Sequence, residues 1–292
     1  MLNKRIDKKT TSSEIPLKQL EQFKHHKQQQ QIKISAIIPI FNEEKGLSSV
    51  IDFLFNCDVV DEIICVNDGS KDHSLMILQS YAEQIKLVNF EQNQGKGAAL
   101  AAGIEIAQGE IVLFLDADLL NLKVTHIVDL IHPLLAQECR GTLGIMDDLT
   151  GDLLPNPFMY FTGQRSYFRQ DLLPYLAEIR QARFGVEVFL NELFPREQIQ
   201  MVAVPGLGQI FKSEKTGYLG AFRGYLVEGM EIAQEIGRRK GFLPEDRMII
   251  SRLKNVASLE EFQKQIKKIH NLTVRQFLHE YVLKYLKMIK FE

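Results

Sequence analysis

The chain has 292 residues, of which 45% are hydrophobic and 25% are charged. This composition is typical of a globular protein with a sizeable core, and it excludes a chain that is disordered throughout. The formal net charge of −2 at pH 7 provides no overall positive charge to attract nucleic acid, so we expect no nucleic-acid partner.

The charges are distributed unevenly along the chain. Residues 1–33 carry a net charge of +5 and residues 238–292 a net charge of +7, so residues 34–237 carry −14. An acidic centre suits a metal-binding site, and basic ends suit contact with phosphate groups or with an anionic membrane surface. Ordinary solvated helix faces explain the basic ends equally well.

The three cysteines, Cys57, Cys65 and Cys139, have no metal-ligand spacing and indicate buried, reduced thiols. No apolar segment follows the first lysines as it would in a secretory signal, and no apolar run is long enough to span a bilayer. We therefore expect a cytoplasmic protein, with peripheral attachment to the inner membrane face as the alternative.

Polar side chains dominate residues 1–31, which predict a flexible arm or one short helix near residues 17–23. From residue 34 onward, apolar runs of strand length alternate with helical patterns. In chain order we predict strand 34–40, helix 43–55, strand 62–67, helix 72–83, strand 86–90, helix 97–107 and strand 111–115. This alternation predicts an α/β fold with right-handed βαβ units and a mostly parallel sheet.

In such a sheet, ligands bind beyond the carboxyl ends of the strands. Four loops are predicted to meet at that edge, and they comprise residues 39–44, 67–72, 92–97 and 116–120. Residues that carry chemistry are therefore expected in these loops.

The pattern loosens in the second half of the chain. We predict helix 124–138, a loop with some strand at 141–157, helices at 172–181 and 183–194, strand 200–204, and helical structure from residue 215 onward. One helical face near the end is apolar and is expected to pack inward, with a membrane contact as the alternative. It comprises Val274, Phe277, Leu278, Tyr281, Val282, Tyr285, Met288 and Ile289, with Lys284, Lys287 and Lys290 towards the other face.

Two carboxylates, Asp116 and Asp118, directly follow the apolar run 111–115. Alternation at the end of a strand places both on one side, close together, where their charges repel unless a cation neutralises them. Hard oxygen ligands suit Mg²⁺ or Mn²⁺, which can bridge to a diphosphate. The alternative is an aspartate that caps the next helix.

Three further loops carry candidate residues. Asp68 ends a predicted strand and is available to accept a hydrogen bond from a base or a ribose, although turn formation alone would explain it. Asn42 is a good helix N-cap and Glu43 favours the positive end of a helix. Gly95-Lys96-Gly97 opens a helix, so its backbone N–H groups and its lysine can approach an anion. The sequence around it is not that of a P-loop.

Together these loops resemble the donor-binding region of glycosyltransferase family 2. The matching motifs are AIIPIFNEE at 36–44, IICVNDGS at 63–70, NQGKGAAL at 93–100 and LDADL at 115–119. The resemblance implies a GT-A fold, a Rossmann-like sheet flanked by helices, here with a helical C-terminal extension. It also implies a nucleoside diphosphate sugar as donor and Mg²⁺ or Mn²⁺ as cofactor.

The resemblance also implies roles for individual residues. The nucleotide-sugar would contact Pro39, Phe41, Asn42, Glu43, Asp68, Lys96, Asp116 and Ala117, and the metal would bind Asp118 directly, with Asp116 near it through ribose or a metal-bound water. On this basis we divide the chain into a polar flexible arm (1–31), a glycosyltransferase domain (32–237) and a basic helical extension (238–292). Within the domain, residues 32–120 form the nucleotide-sugar half and 121–237 the acceptor half.

The motifs in the second half of the chain are less specific to one family. Gly163, Gln164 and Arg165, together with the segment 183–188, are similar to acceptor-side segments of glucosyl-3-phosphoglycerate synthases and polyprenyl-phosphate glycosyltransferases. The resemblance therefore implies a phosphorylated small molecule or a lipid-linked acceptor. Many relatives offer a histidine as a further metal ligand, and here Gln209 stands near that place. An amide oxygen can also ligate Mg²⁺.

Two residues in this half have alternative interpretations. If the sugar is transferred with inversion, the acceptor hydroxyl needs a base, and Glu187 between apolar neighbours is our candidate. Its alternative is a helix-terminal glutamate satisfied by the helix dipole or by Arg183. Arg165 would bind an acceptor phosphate or pair with Asp171.

The sequence thus predicts a metal-dependent glycosyltransferase that moves a sugar to a hydroxyl or phosphate-bearing acceptor. One alternative is a sugar-nucleotidyltransferase, which is disfavoured because the first strand is not followed by a glycine-rich triphosphate loop. The other is a sugar-nucleotide-binding protein without turnover.

Overall fold

The computed structural model describes residues 17–146, 162–210, 226, 229–253, 255–256 and 258–283. The strands are β1 (Ile34–Ile40), β2 (Glu62–Asp68), β3 (Lys86–Phe90), β4 (Ile111–Phe114), β5 (Leu119–Leu120), β6 (Gly141–Ile145), β7 (Arg165–Phe168), β8 (Ile199–Ala203) and β9 (Gly208–Gln209). The first eight helices are α1 (Leu17–Gln29), α2 (Leu47–Phe55), α3 (Ser74–Ser80), α4 (Lys96–Ile106), α5 (Val124–Leu135), α6 (Arg169–Leu172), α7 (Leu176–Gln181) and α8 (Val186–Leu193). They are followed by α9 (229–240), α10 (Pro244–Leu253), α11 (Leu259–Ile266) and α12 (Leu272–Phe277).

Seven of the described strands form one sheet in the order β3-β2-β1-β4-β7-β6-β8. The pairings β1–β2, β1–β4, β2–β3 and β6–β8 are parallel, and only the pairings of β7 with β4 and β6 are antiparallel. The predicted α/β fold with a mostly parallel sheet is therefore confirmed. A small second sheet pairs β5 with β9.

The sheet is buried on both faces, as its nearly continuous apolar strands predict. In β1, Ile38 and Ile40 face a core cluster shared with α2 and α5, whereas Ile37 faces a second cluster shared with α4 and α8. Helix α4 lies very close to the sheet, because a Cβ atom at Gly103 would be 2.4 Å from a methyl carbon of Ile37. This contact fixes the distance between α4 and β1.

Of the two alternatives for this segment, the short helix near residues 17–23 is present, and it extends over residues 17–29 as α1. Phe23 is buried against the first core cluster, and Nζ of Lys27 lies 2.7 Å from a carboxylate oxygen of Asp61. The sequence suggested disorder because polar residues surround Leu20 and Phe23, but this narrow apolar stripe is enough to dock a helix. Residues 1–16 lie outside the described residues.

Two helices begin later than predicted. Helix α2 begins at Leu47 rather than at Glu43, so Asn42 is not its N-cap, and α3 begins at Ser74 rather than at Asp72. The residues between the predicted and the observed helix starts form turns. Backbone N–H groups in these turns donate hydrogen bonds to side chains of the neighbouring segment. Local helix signals there are overridden by contacts between loops.

The C-terminal helices form a third hydrophobic cluster with α9. Val274, Phe277, Leu278 and Val282 are buried within it, so the described part of the predicted apolar face packs inward. Helix α9 runs through the predicted boundary at 237/238 without interruption. The predictions for residues 284–290, and those for 147–157 and 215–225, lie outside the described residues. Within the described residues, no helix combines the length and the apolar character that crossing a membrane requires.

Candidate functional site

The four loops selected from the sequence meet at one edge of the sheet. They follow β1, β2, β3 and β4, which are adjacent and mutually parallel, so their carboxyl ends lie side by side. The loop after β4 is held from a second direction, because β5 pairs with β9 and places Leu119 opposite Gln209. The fold thus brings residues from both halves of the chain to this edge.

The loops after β1 and β2 are joined by a series of backbone-to-side-chain hydrogen bonds. The backbone N–H of Asn42 donates to Oγ of Ser70 at 3.0 Å, and Oδ1 of Asn42 accepts from the N–H of Lys71 at 2.7 Å. The N–H of Glu43 donates to Oγ of Ser74 at 2.9 Å. Asn42 has a φ of 58°, a conformation that asparagine tolerates better than most residues. Its role is to join the two loops.

Two other candidate residues, Pro39 and Phe41, lie just before and just after the end of β1. Pro39 is half-buried in β1 opposite Val66, and Phe41 keeps 39% of its surface exposed. An exposed aromatic ring beside a buried strand end offers a flat surface on which a planar group can stack. Glu43 is half-buried next to it.

Asp68 organises the loop after β3. Its Oδ1 accepts from the N–H of Gln94 at 2.6 Å, and its Oδ2 accepts from the N–H of Gly95 at 2.8 Å and from Nδ2 of Asn93 at 2.9 Å. Burial raises the pKa of Asp68, and the two backbone hydrogen bonds partly oppose that shift. Gly95 has a φ of 96°, which few other residues adopt. Asp68 therefore shapes the entry to α4.

Asp116 lies at the centre of the site. Its Oδ1 accepts from Nζ of Lys96 at 2.8 Å, and its Oδ2 accepts from Nε2 of Gln164 at 2.8 Å and Nε2 of Gln209 at 2.9 Å. Gly163 lies against the same carboxylate, since a Cβ atom there would be 2.4 Å from both oxygens. Gly163 and Gln164 therefore contact Asp116.

Lys96 joins Asp116 to Glu187. Its Nζ lies 2.9 Å from Oε1 of Glu187, and about a fifth of its side chain is exposed. Burial by itself would lower the pKa of Lys96, but the charges of both carboxylates outweigh it and raise that pKa. Likewise, burial would raise the pKa of Asp116, but Lys96 and the hydrogen bonds to it hold that pKa below its ordinary value. The site thus contains a buried carboxylate–ammonium–carboxylate group.

The partner of Glu187 differs from the alternative that the sequence suggested. Glu187 is 6% exposed in the first turn of α8, and it pairs with Lys96 rather than with Arg183. Arg183 has a φ of 50° and reaches Oδ1 of Asn93 at 3.4 Å. Its backbone packs against Gly95 and Gly97, which leaves its side chain at the surface above the loop of Asp68.

Of the two alternatives for Arg165, the pairing with Asp171 is not what the structure shows. Asp171 pairs with Arg140, while Nε of Arg165 donates to the carbonyl oxygen of Thr162 at 2.8 Å. One of its terminal nitrogens donates to Oδ1 of Asn191 at 2.8 Å. Arg165 is 1% exposed because it lies in the interior strand β7, and its guanidinium bonds to the protein itself. This burial argues against direct contact with an acceptor phosphate.

The residues that follow Asp116 are arranged closely. Ala117 is 2% exposed. Gly46 packs so closely against Asp118 that a Cβ atom at position 46 would lie 2.8 Å from the Cα atom of Asp118. The carbonyl oxygen of Asp118 accepts from the N–H of Ile210 at 2.9 Å. This contact holds Asp118 beside the strand that carries Gln209.

A metal at this edge would depend on few protein ligands. Among the described residues, no group of three or more His, Cys, Asp or Glu side chains is placed to hold a metal ion. Asp118 and the amide oxygen of Gln209 are oxygen donors of the kind that Mg²⁺ and Mn²⁺ accept. These ions are commonly held by one or two carboxylates together with substrate phosphates, so the donor set fits a metal that arrives with a diphosphate.

The sequence did not single out His126 as part of the site. Its Nε2 lies 3.0 Å from the carbonyl oxygen of Pro205, and its Nδ1 accepts from the N–H of Lys123 at 3.2 Å. Burial lowers the pKa of His126. His126 is thus a buried packing residue that also supports the loop leading to Gln209. Its place on a predicted amphipathic helix gave no sign of this contact.

Comparison with known proteins shows which sequences and folds this chain is similar to. The sequence profile described as Glycosyl transferase family 2 matches residues 35–181. An uncharacterized glycosyltransferase of Synechocystis sp. is 45% identical over 95 residues, which cover 30% of this chain and 30% of that protein. A dolichyl-phosphate beta-glucosyltransferase of Trichomonas vaginalis is 42% identical over 100 residues, which cover 30% of this chain and 31% of that protein. The sequence matches thus span less than a third of these relatives' length.

The fold extends the similarity beyond these segments. Glucosyl-3-phosphoglycerate synthase of Mycobacterium tuberculosis, in complex with Mn²⁺, uridine diphosphate and glucosyl-3-phosphoglycerate, superposes with a TM-score of 0.59 and 21% sequence identity. The superposition covers 80% of this chain and 88% of that one. It establishes a common fold that includes much of the second half of the chain.

Proposed function

This chain belongs to glycosyl transferase family 2, and we propose that it transfers a sugar from a nucleoside diphosphate sugar to a phosphate-bearing acceptor with the help of a divalent metal ion. The observation that carries the proposal is the hydrogen-bonded contact between Lys96 and Asp116, at the edge where the four loops meet.

The donor would lie across the carboxyl ends of β1, β2 and β4. The exposed ring of Phe41 offers a face for the base, and Asp68 fixes the loop 93–95 that borders it. The superposed mycobacterial synthase binds uridine diphosphate and Mn²⁺. A uridine nucleotide is therefore the donor to test first.

Asp118, with the amide oxygen of Gln209, would hold the metal. When bound, a divalent cation at this edge would supply positive charge to the leaving diphosphate. Asp116 is engaged by Lys96, Gln164 and Gln209, so it orders this part of the site and holds the amide of Gln209 in place. We therefore assign metal ligation to Asp118.

Glu187 would receive the proton of the acceptor hydroxyl. In the transfer, the acceptor oxygen forms a bond to the anomeric carbon, the bond from that carbon to the diphosphate breaks, and the hydroxyl proton passes to the carboxylate. A phosphate acceptor would need no such base, because phosphate monoesters are largely deprotonated at pH 7. The buried carboxylate of Glu187 therefore favours a hydroxyl acceptor on a phosphorylated molecule.

Product analysis with two acceptors tests the proposal. The protein is incubated with UDP-glucose and Mn²⁺, and with either phosphoglyceric acid or a polyprenyl phosphate, and both UDP and glycosylated product are measured. We expect product with phosphoglyceric acid, whose hydroxyl would attack. Product with polyprenyl phosphate alone would overturn the hydroxyl assignment. UDP-sugar binding without product in any arm, across a panel of nucleotide-sugars, would overturn the transfer itself.

We also propose a weak contact of the C-terminal helices with anionic lipid. Lys264, Lys267 and Lys268 are exposed on and just after α11, and each basic residue near an anionic surface contributes about 1 kcal/mol. Sedimentation with phosphatidylserine vesicles should exceed that with neutral vesicles. Equal sedimentation with both would overturn this contact.

A further inference from the structure

Helix α8, which carries Glu187, is held between two parts of the protein. Its Val186, Phe189 and Leu190 belong to the hydrophobic cluster that includes the sheet and α4. Its Val188 belongs to the cluster of the C-terminal helices. A helix of eight residues is too short to be stable by itself, so these two contacts determine where it lies.

Helix α9 packs directly against the start of α8. A Cβ atom at Gly185 would lie 2.4 Å from Cβ of Glu235. Gly185 therefore allows the backbone of α8 and a buried glutamate of α9 to approach closely. Because Gly185 is two residues before Glu187, a displacement of α9 would act on the turn that places the Glu187 carboxylate.

Nζ of Lys240 in α9 lies 3.4 Å from Oε1 of Glu192 on α8, and the more extensive contact with α8 is made by Arg239. Its Nε donates to Oε1 of Glu235 at 2.6 Å, and a terminal nitrogen donates to Oε2 of Glu192 at 3.0 Å. The guanidinium carbon lies 4.4 Å from the ring centre of Phe189. Phe189 and Glu192 are three residues apart and so share one face of α8. A planar guanidinium that is 18% exposed can make all three contacts in one fixed geometry.

We propose that Arg239 is a positioning residue for the transfer reaction. It fixes α8 against α9, and through α8 it holds the carboxylate of Glu187 at 2.9 Å from Nζ of Lys96. The C-terminal helices thereby support the site. The effect of Arg239 on sugar transfer rests on the proposed function, whereas its hold on α8 does not.

The variant Arg239→Gln removes the charge and the cation–π contact. Its matched control is Arg238→Gln, because the hydrogen bonds described for Arg238 both go to Glu235, at 2.9 and 2.7 Å. Hydrogen exchange of the α8 amides should be faster by about tenfold or more in Arg239→Gln than in Arg238→Gln. Exchange in β4 should be the same in both. Equal exchange of α8 in the two variants would overturn the proposal.

Kinetics supply the second measurement. Arg239→Gln should lower kcat by about tenfold and leave the KM for the donor within about twofold, since the donor loops are untouched. Arg239→Lys should recover part of that loss, because it restores the charge. A change in donor KM with unchanged kcat would overturn the positioning role.

A second variant guards against misfolding. Glu192→Gln alters a side chain that is about one-third exposed, weakens its pairs with Arg239 and Lys240, and keeps the pair between Arg239 and Glu235 intact. It should reproduce the faster exchange of α8 in a folded protein, and unchanged exchange would count against the proposal. Should wild-type protein transfer no sugar, the proposed function fails, whereas the exchange measurement still decides whether Arg239 holds α8.

Discussion

Nζ of Lys96 lies 2.8 Å from Oδ1 of Asp116, so the first residue of α4 forms an ion pair with the first carboxylate after β4. Lys96 also lies 2.9 Å from Glu187, and the two carboxylates share one ammonium group. The lysine at the helix N-terminus is therefore engaged within the protein. It links Asp116 at the proposed donor site to Glu187, the proposed base.

Removing Lys96 should destabilise the protein markedly. Lys96→Met leaves two buried carboxylates without their cation, and breaking a buried ion pair in this way costs about 3–5 kcal/mol. The control is Lys86→Met, because Lys86 pairs with Glu62 in a partly exposed position and should cost about 1 kcal/mol or less. The free energy of unfolding in urea measures both. Equal losses of unfolding free energy in the two variants would show that the ion pairs of Lys96 stabilise the protein no more than the partly exposed pair of Lys86.

A methyl group at position 163 should disturb the site directly. Gly163→Ala places a carbon 2.4 Å from the carboxylate oxygens of Asp116, which must then move. We expect kcat/KM for the donor to fall by about a hundredfold. Gly208→Ala is the control, because its new carbon would meet its nearest neighbour, Cβ of Leu120, at 3.7 Å. Similar activity of the two variants would contradict the central position of Asp116.

Neutralising Glu187 should slow the transfer step without weakening the binding of the donor. Glu187→Gln keeps the shape of the side chain but cannot take up a proton, so kcat should fall by about a hundredfold or more. The KM for the donor should change by less than about threefold. Initial rates with phosphoglyceric acid as acceptor measure both quantities. An unchanged kcat would show that Glu187 serves only as a partner of Lys96.

His126 should make the protein less stable in weak acid. Burial holds the pKa of His126 below its ordinary value of 6.5, so the unfolded chain binds more protons than the folded one near that pH. Its contribution to stability is complete above pH 6.5 and is lost as the pH falls through the lower folded-state pKa. Melting temperatures at pH 7.5 and 5.5 should differ less in His126→Gln than in the wild type. An equal difference would contradict this assignment.

Much of the sheet and its functional edge could be predicted from the sequence. The apolar runs of β1, β2 and β4 are long enough to identify each strand, and their parallel order places Asp68 and Asp116 at one edge. The first residue of α2 could not be predicted in this way. The turn at Asn42 depends on Ser70 and Lys71 in another loop, so local capping signals indicated a helix too early.

The contacts across the site could not be predicted in this way. Lys96 and Glu187 are far apart in the chain, and their pairing follows from the packing of α8 on α4. Arg165 suggested a phosphate ligand because Gly163 lies two residues before it. It is instead held within β7 by Thr162 and Asn191, a position that only the sheet order reveals.

Asp118 is the proposed metal ligand of the nucleotide-sugar site. Calorimetric titration of UDP-glucose with and without Mn²⁺ tests this in the wild type, in Asp118→Asn and in the exposed control Asp58→Asn. Mn²⁺ should strengthen UDP-glucose binding by about tenfold or more in the wild type and in Asp58→Asn, and should have no effect in Asp118→Asn. Strengthening by Mn²⁺ that survives in Asp118→Asn would contradict the account.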